Sequence, residues 1–574
     1  MSKQFDEYSK EELLELVKNL KKSKQFGLVW EDKPENVVKE CEQKLPVLDE
    51  IIERKITQNA DSTPTHVLIE GDNYHSLSSM NYTHADKIDV IYIDPPYNTG
   101  NKDFIYNDRF VDKEDSFRHS KWLSFMEKRL KLARKLLSDS GIIFISIDDN
   151  EQAHLKILCD HIFGEKNMIA NLVWQNKEGG GKSDSKHFRS KHEYILCYAK
   201  NATKAIIYGQ PVEDAERYKL SDKHEQTRGK YQLIKLDSGS LGWISSLDYP
   251  IELNGKTFYA GGDKEKWQDR QNGGTSIQDC GWRWRWGQDK LRWGLENDFV
   301  VTKGDNIYTK QYLNVDRDGN IINGRKIQPI GVIDGFSTTQ ANRLVKEMFG
   351  KVSFNYSKPI DLIVYLLKLS THESSTILDF FAGSGTTGHA VMKLNKEDGG
   401  NRQFILCTNN ENGIAENITY QRLKKVVDGY GEGTKKVEGI PANLRYFCTS
   451  FVEKDKCTDT TRTRLVARCA DMIRIRENTF NTVADTDECK FYSSSKIFTA
   501  IVFDPFKIAK IWQEIESKNI DKLPVKLYVF SYSRDTSAFT DEIPETNLIY
   551  ESVPIPESIL QVYKRLFKEK GGKR

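Results

Sequence analysis

The sequence predicts an α/β protein whose largely parallel sheet is written in two segments, separated by an inserted, mostly β unit and followed by an α+β region. Three observations predict it. Short apolar runs alternate with helical stretches from about residue 65 to residue 200. The alternation stops until about residue 340, in sequence rich in Gly, Asp, Asn and aromatics, and then resumes. At 574 residues the chain exceeds one hydrophobic core, so two or three packed units are expected. An apolar share of 38% against 29% charged is enough to build those cores and excludes a disordered polymer.

Element by element, Ser9 and Glu12 form a capping-box pattern ahead of Leu13, Leu16, Val17 and Leu20, so residues 1–60 are expected as an N-terminal helical segment. Residues 61–200 follow with HVLIEGD, IDVIYIDPPY and GIIFISIDDNE as buried strands. Between the last two, Trp122, Met126, Leu130, Ala133 and Leu137 mark one stripe of a helix. Around that stripe Arg118, Lys121, Lys128, Arg129, Lys131, Arg134 and Lys135 form either a solvated face or a phosphate-contacting one.

Residues 201–340 are the inserted unit, with hairpin pairs such as Asn254-Gly255. Residues 341–436 restore the alternation: PIDLIVYLLKLS as helix, STILDFF as strand, a glycine-rich turn, TTGHAVMKLN as helix and RQFILC as strand. Residues 437–574 form a C-terminal region with a helix near 461–476, strands IFTAIVF and VKLYVFSY, and a basic tail.

The total charge is nearly balanced, 85 Lys and Arg against 83 Asp and Glu, so a polybasic clamp is excluded and any nucleic-acid contact must lie in local stripes. The nine cysteines lie far apart, with no CxxC and no zinc spacing, as expected of reduced thiols. The N-terminal residues are too charged for a signal peptide and no apolar run is long enough to span a membrane, so a soluble, cytoplasmic protein is expected.

Two motifs carry chemistry. Asp94-Pro95-Pro96-Tyr97 directly follows an apolar strand. The prolines end the ladder and stiffen the chain, so a carboxylate, a carbonyl and an aromatic ring are presented together. Such a group can grip an exocyclic amine on a flat heterocycle and aim its lone pair at an electrophile. A plain Pro-Pro turn stays open as the structural alternative.

The second motif, DFFAGSGTTG from Asp379 to Gly388, joins a strand to a helix. Gly383 and Gly385 allow close backbone approach, and the helix start offers unpaired N–H groups to a cofactor. Gly383, Gly385 and Gly388 also fit the dinucleotide pattern G-x-G-x-x-G, on which alone a nicotinamide enzyme would rest.

Together, DPPYNTG before an insertion and DFFAGSGTTGHA after it resemble the β-class amino-group DNA methyltransferases. FGLVWEDKPE, LIEGDN, HEYILCYAKN, NYSKPIDLIVYLL and LRYFCTSFV are similar in particular to the Mod subunit of type III restriction-modification systems. The resemblance implies a Rossmann-like sheet of the S-adenosylmethionine-dependent methyltransferases in circularly permuted order, with the insertion as target-recognition domain.

It also implies roles. Asp94 and the Pro95 carbonyl accept from the target amine, Pro96 stiffens the turn, and Tyr97 stacks on an extruded base. Asp before Pro-Pro favours adenine N6 over cytosine N4. S-adenosyl-L-methionine is held by Asp72, Lys358, Asp379, Phe381, Gly383, Ser384 and Gly385. Glu411 or Asn409 takes the ribose, and neither a metal nor a covalent intermediate is needed. The implied partners are double-stranded DNA, a second copy in a homodimer and a Res-type ATPase/nuclease, unless the chain is a solitary methylase.

GGGKS at 179–183 superficially matches a phosphate loop, but Asn176 stands where its first glycine belongs. In the insertion, Trp282-Arg283-Trp284-Arg285-Trp286 alternates at the strand period. The tryptophans suit a small core, and Arg283, Arg285 and Arg292, with Trp284 among them, are the candidate DNA contacts.

Overall fold

The computed structural model describes residue 9 and residues 30–58, 63–101, 103–177, 187–211, 217–274, 281–322, 324–350, 357–433, 436–532 and 535–568. The capping box, which needs Glu12, and the GGGKS stretch lie outside the described residues. The chain divides into two compact units, residues 1–207 with 330–574, and residues 208–329.

The first unit is built on a ten-stranded sheet. Its strands are β1 (Lys44–Glu50), β2 (Thr65–Glu70), β3 (Ile88–Ile93), β4 (Leu137–Ile147), β5 (Met168–Gln175), β6 (His192–Ala199), β7 (Val332–Ile333), β8 (Thr376–Asp379), β9 (Gln403–Thr408) and β10 (Asn443–Glu453). Their spatial order is β1-β10-β2-β9-β8-β3-β4-β6-β5-β7. The run from β10 to β4 is parallel, and β6 is antiparallel to both its neighbours. The central pair β8 and β3 thus joins the two sequence segments, with Leu378 opposite Ile91. This is a Rossmann-like sheet with its chain order permuted.

Strand alternation explains the three layers. In β3, Ile91 and Ile93 enter one core while Val90 and Tyr92 enter the other. The first core is covered by α2 (Asn73–Thr83), α3 (Arg118–Leu136) and α4 (Gln152–Phe163), through Leu77, Trp122, Met126, Leu130 and Leu155. The second is covered by α5 (Ile360–Ser370), α6 (Thr386–Asp398) and α7 (Gln421–Asp428), through Leu362, Leu366, Val391 and Leu423. Each such fully buried apolar side chain contributes roughly 1.5–3 kcal/mol.

The expected helical segment over residues 1–60 needs correction. Its described part is helical over α1 (Asn36–Gln43), but Lys44–Glu50 is strand β1, paired antiparallel with β10 at the sheet edge. Pro46 lacks an N–H for a ladder on two sides, which an edge position does not require. β10, placed by its sequence in the C-terminal region, is itself a strand of the central sheet. Beyond it a five-stranded sheet runs Asn481–Asp485, Cys489–Ser493, Phe498–Val502, Val525–Ser531 and Tyr550–Pro556.

The second unit holds an antiparallel sheet of Tyr231–Lys235, Asn306–Tyr312 and Val300–Lys303, short strand pairs, and the helices Lys264–Gln271 and Gln288–Glu296. Its core gathers Leu236, Ile251, Phe258, Trp284, Leu291 and Ile307. The eight described cysteines are free thiols, and no helix among the described residues is long and apolar enough to cross a membrane.

Candidate active site

Because β3 and β8 are parallel neighbours, the loops after them emerge at the same sheet edge. Asp94 begins the first loop and Asp379 ends the strand leading to the second.

The Asp94 carboxylate is gripped by Lys358, whose Nζ lies 2.7 Å from both Oδ1 and Oδ2. The same ammonium is 3.6 Å from Glu193 on β6. Tyr97 donates its hydroxyl to Glu193 Oε2 at 3.0 Å, and Asn176 Nδ2 donates to Oε1 at 2.7 Å. The Tyr97 ring lies beneath Lys358, with Nζ 5.0 Å from its centroid. Trp122, fully buried in α3, donates Nε1 to the Pro96 carbonyl at 2.7 Å and pins the turn from below. Among the described residues the Pro95 carbonyl accepts no hydrogen bond.

Burial pushes the Asp94 carboxyl up from its ordinary value, with Lys358 opposing. Burial alone would lower Lys358, but Asp94 and Glu193 outweigh it and hold the lysine protonated. The site therefore sets one fixed cation against two carboxylates, beside a half-buried ring.

On the second loop, Gly383 and Gly385 take positive φ of 49° and 78°. A side chain at Gly385 would meet Thr419 Cγ2 at 3.1 Å, and one at Gly388 would strike Leu423 at 2.8 Å. Those two glycines let the turn and α6 pack onto the segment after β9. Asp379 accepts from Phe381 N at 2.9 Å and from Thr387 Oγ1 at 2.6 Å, and burial raises its carboxyl to about 7. Phe381 stays half-buried, 5.9 Å from the Phe125 ring.

Several expected roles change. Lys358, expected at the cofactor, spends its ammonium on Asp94, because a buried lysine needs a carboxylate. Ser384 is buried and receives Arg422 Nη1 at 2.9 Å while facing Ser357 at 3.1 Å, so its hydroxyl is engaged inside the fold. Asp72 caps α2 by accepting from Tyr74 N at 2.7 Å and faces Arg129, yet its side chain remains 31% exposed. Asn409 and Glu411 are both exposed just past β9.

The basic face of α3 is largely neutralised. Arg129 is fully buried and paired with Glu35 at 2.7 Å, Lys121 with Asp115, Lys128 with Asp32 and Lys131 with Glu127.

In the inserted unit the alternation places Trp284 in the core, 2% exposed and donating to the Tyr249 carbonyl at 2.6 Å, so it is not a DNA contact. The strand is only Arg283–Trp284, paired with Asp237–Ser238. Arg285 and Arg292 are exposed, the latter 3.6 Å from Asp289, while Arg283 is half-buried with its Nε unpartnered.

Sequence reasoning missed Glu193 and Arg129. Arg129 was visible in outline, since it falls at helical phase with Trp122, Met126 and Ala133. Glu193 gave no local signal, because its partners Tyr97, Asn176 and Lys358 meet it only through the sheet.

Comparison with known proteins agrees with this geometry. Residues 88–419, more than half of the chain, match the DNA methylase family N6_N4_Mtase. The chain is 33% identical over 396 residues to the EcoPI Mod subunit of a type III restriction-modification enzyme from Escherichia phage P1, covering 62% of this chain and 59% of that one. It is 32% identical over 407 residues to the StyLTI Mod subunit from Salmonella typhimurium strain LT2, covering 66% and 58%. To the type II methyltransferase M.KpnI of Klebsiella pneumoniae it is 34% identical over 379 residues, covering 64% and 86%. The matched part thus spans under two thirds of the length of the two Mod subunits.

Proposed function

The chain belongs to the DNA methylase family, and from that premise we propose that it is a site-specific DNA adenine N6-methyltransferase using S-adenosyl-L-methionine. The observation that carries this is the Asp94–Tyr97 turn, with its Lys358-paired Asp94, beside the glycine turn of the neighbouring strand.

The residues around the second loop suit that cofactor. Gly383 and Gly385 present bare backbone, Phe381 offers a half-buried ring face, and Asp72, Asn409 and Glu411 offer accessible acceptors at the ends of β2 and β9. When bound, the cofactor supplies a sulfonium methyl as electrophile, which needs neither a metal nor a covalent enzyme intermediate. Asp379 shapes the loop from inside by holding Phe381 and Thr387.

On the target side, Asp94 and the Pro95 carbonyl accept the two amine N–H groups and turn the lone pair out of conjugation. Tyr97, held by Glu193, stacks on the base, which must leave the duplex to reach the turn. As the nitrogen becomes cationic its proton passes toward Asp94, whose burial favours accepting it. Lys358 opposes that effect of burial and favours the Asp94 anion before the step.

Arg285, Arg292 and Arg283 are the proposed DNA contacts of the insertion, and the protein is placed in the cytoplasm with the DNA it modifies. The likeness to the Mod subunits supports a modification and specificity subunit of a type III system, working as a homodimer with a Res-type partner. A solitary methylase is the second reading, favoured by the 86% coverage of M.KpnI. Measuring mass in solution with a candidate Res chain separates them.

Base-resolved mapping of methylated positions in DNA treated with the purified protein tests the main proposal. Methylated adenines in one sequence context are expected, and are lost in Asp94→Ala while DNA binding persists. Methylated cytosines, or normal transfer by Asp94→Ala, would overturn it.

A further inference from the structure

Directly after the proposed target-base turn, Asn98 is fully buried in a left-handed conformation, φ 57°. Asparagine is among the non-glycine residues that adopt this conformation most readily, so what sets Asn98 apart is its complete burial and its partners. Here its Nδ2 donates to the Arg118 carbonyl at 3.3 Å and to Glu151 Oε1 at 2.5 Å. Glu151 stands between β4 and α4 with no exposed surface. His119 Nδ1 lies 2.7 Å from the same Oε1 and His154 Nδ1 lies 2.8 Å from Oε2, each within hydrogen-bonding distance.

We propose that Glu151 is a positioning residue for methyl transfer: by accepting from Asn98 it fixes the backbone carrying Tyr97, in a hydrogen-bonded brace completed by His119 and His154. The inference rests on the proposed role of the Asp94–Tyr97 turn. Glu151 makes no ion pair with a lysine or arginine among the described residues, and its two oxygens are instead shared by three side-chain hydrogen bonds. Burial lowers the pKa of both imidazoles, which keeps them neutral, and raises Glu151 to about 8. The charged groups bearing on Glu151 besides the two rings are Arg118, which favours its anion, and Asp148, which opposes it.

The three side chains are also near enough to hold a metal ion, their ligand atoms lying within 4.8 Å of one another. Arg118 Nε donates to His119 Nε2 at 3.1 Å, which assigns the His119 proton to Nδ1, facing Glu151. A metal on Nδ1 would move that proton to Nε2, against the Arg118 donor. The brace and a metal therefore make opposite demands.

The test compares the full-length protein with Glu151→Leu, Glu151→Gln and Asn98→Gly, the glycine keeping the left-handed backbone open. Each is assayed for methyl transfer to DNA, cofactor affinity, thermal unfolding and metal content. With Glu151→Leu and Asn98→Gly, kcat is expected to fall roughly ten-fold or more with cofactor affinity held within about two-fold. Glu151→Gln, whose amide oxygen still accepts from Asn98, should recover most of the rate. Should Glu151→Leu fail to fold, Asn98→Gly carries the comparison. Unchanged kcat in Asn98→Gly, equal losses in Glu151→Gln and Glu151→Leu, or a stoichiometric metal that resists chelation would each overturn the brace. A wild-type protein that transfers no methyl group to DNA would overturn the functional proposal instead, and the brace with it.

Discussion

Lys358 and Asp94, 264 positions apart in the chain, meet with the ammonium nitrogen 2.7 Å from each carboxylate oxygen. The pair ties the segment after the insertion to the Asp94–Tyr97 turn before it. Removing the cation would leave Asp94 and Glu193 as neighbouring, partly buried carboxylates, at a cost below the roughly 3–5 kcal/mol of breaking a fully buried pair. It would also raise the Asp94 pKa further, so more of it would be protonated at neutral pH and unable to accept from the amine. Lys358→Met is therefore expected to lower stability in denaturant unfolding and to move the acidic limb of the methyl-transfer profile toward higher pH. A limb that stays in place would mean that Lys358 does not control Asp94.

Tyr97 combines a ring for stacking with a hydroxyl for Glu193, and two substitutions separate these. Tyr97→Phe keeps the ring and forfeits one charge-assisted bond, an expected loss of about 1.5–3 kcal/mol in transition-state stabilisation. Tyr97→Ala removes the stacking as well, worth a further 1–3 kcal/mol or so per base. Ratios of kcat/KM for methyl transfer should fall in that order. If Tyr97→Phe were as damaged as Tyr97→Ala, the hydroxyl rather than the ring would be the essential group.

Much of this site is legible in the sequence, and the reasons are local. The Pro-Pro turn after an apolar strand and the Gly383–Gly388 turn before a helix each fix backbone geometry within a few residues, so DPPY and DFFAGSGTTG announce themselves. What stays hidden depends on which strands lie side by side. Glu193 reaches Tyr97 because β6 lies beyond β4, and Lys358 reaches Asp94 because the insertion returns the chain to β8. Ser384 shows the converse: its sequence position suits a cofactor contact, but Arg422 and Ser357 draw its hydroxyl inward. Lys44–Glu50 likewise needs β10, nearly 400 residues away in the chain, to become a strand.

Asp379 links the glycine turn to pH. Its carboxyl is raised by burial to about 7, above the unfolded value, so the folded state holds the proton more tightly. That contribution to stability is complete below the unfolded pKa and is lost as pH rises through the folded one. Asp379→Asn does not titrate and can still accept from Phe381 N–H through its oxygen. Its melting temperature relative to wild type is therefore expected to rise between acid and mildly alkaline pH. A difference that does not vary with pH would show that Asp379 is ionised throughout.

In the inserted unit two adjacent residues differ sharply in exposure. Trp284 is core, and Trp284→Ala should destabilise the unit by about 3–5 kcal/mol, since its cavity and its bond to the Tyr249 carbonyl are lost together. Arg285, one position on, faces solvent with no ion pair among the described residues, so Arg285→Ala should leave melting almost unchanged. If Arg285 reads a base edge, the same substitution costs about 1–3 kcal/mol of binding to the preferred sequence and little to other DNA. If it only meets a phosphate, both affinities fall together and the salt slope flattens by about one unit. Titrating specific and non-specific duplexes at several salt concentrations distinguishes these outcomes. The total charge of +2 leads us to expect a shallow slope in the wild type, because a nearly balanced chain offers little bulk attraction for phosphate. A steep slope would require a phosphate-binding surface beyond Arg283, Arg285 and Arg292.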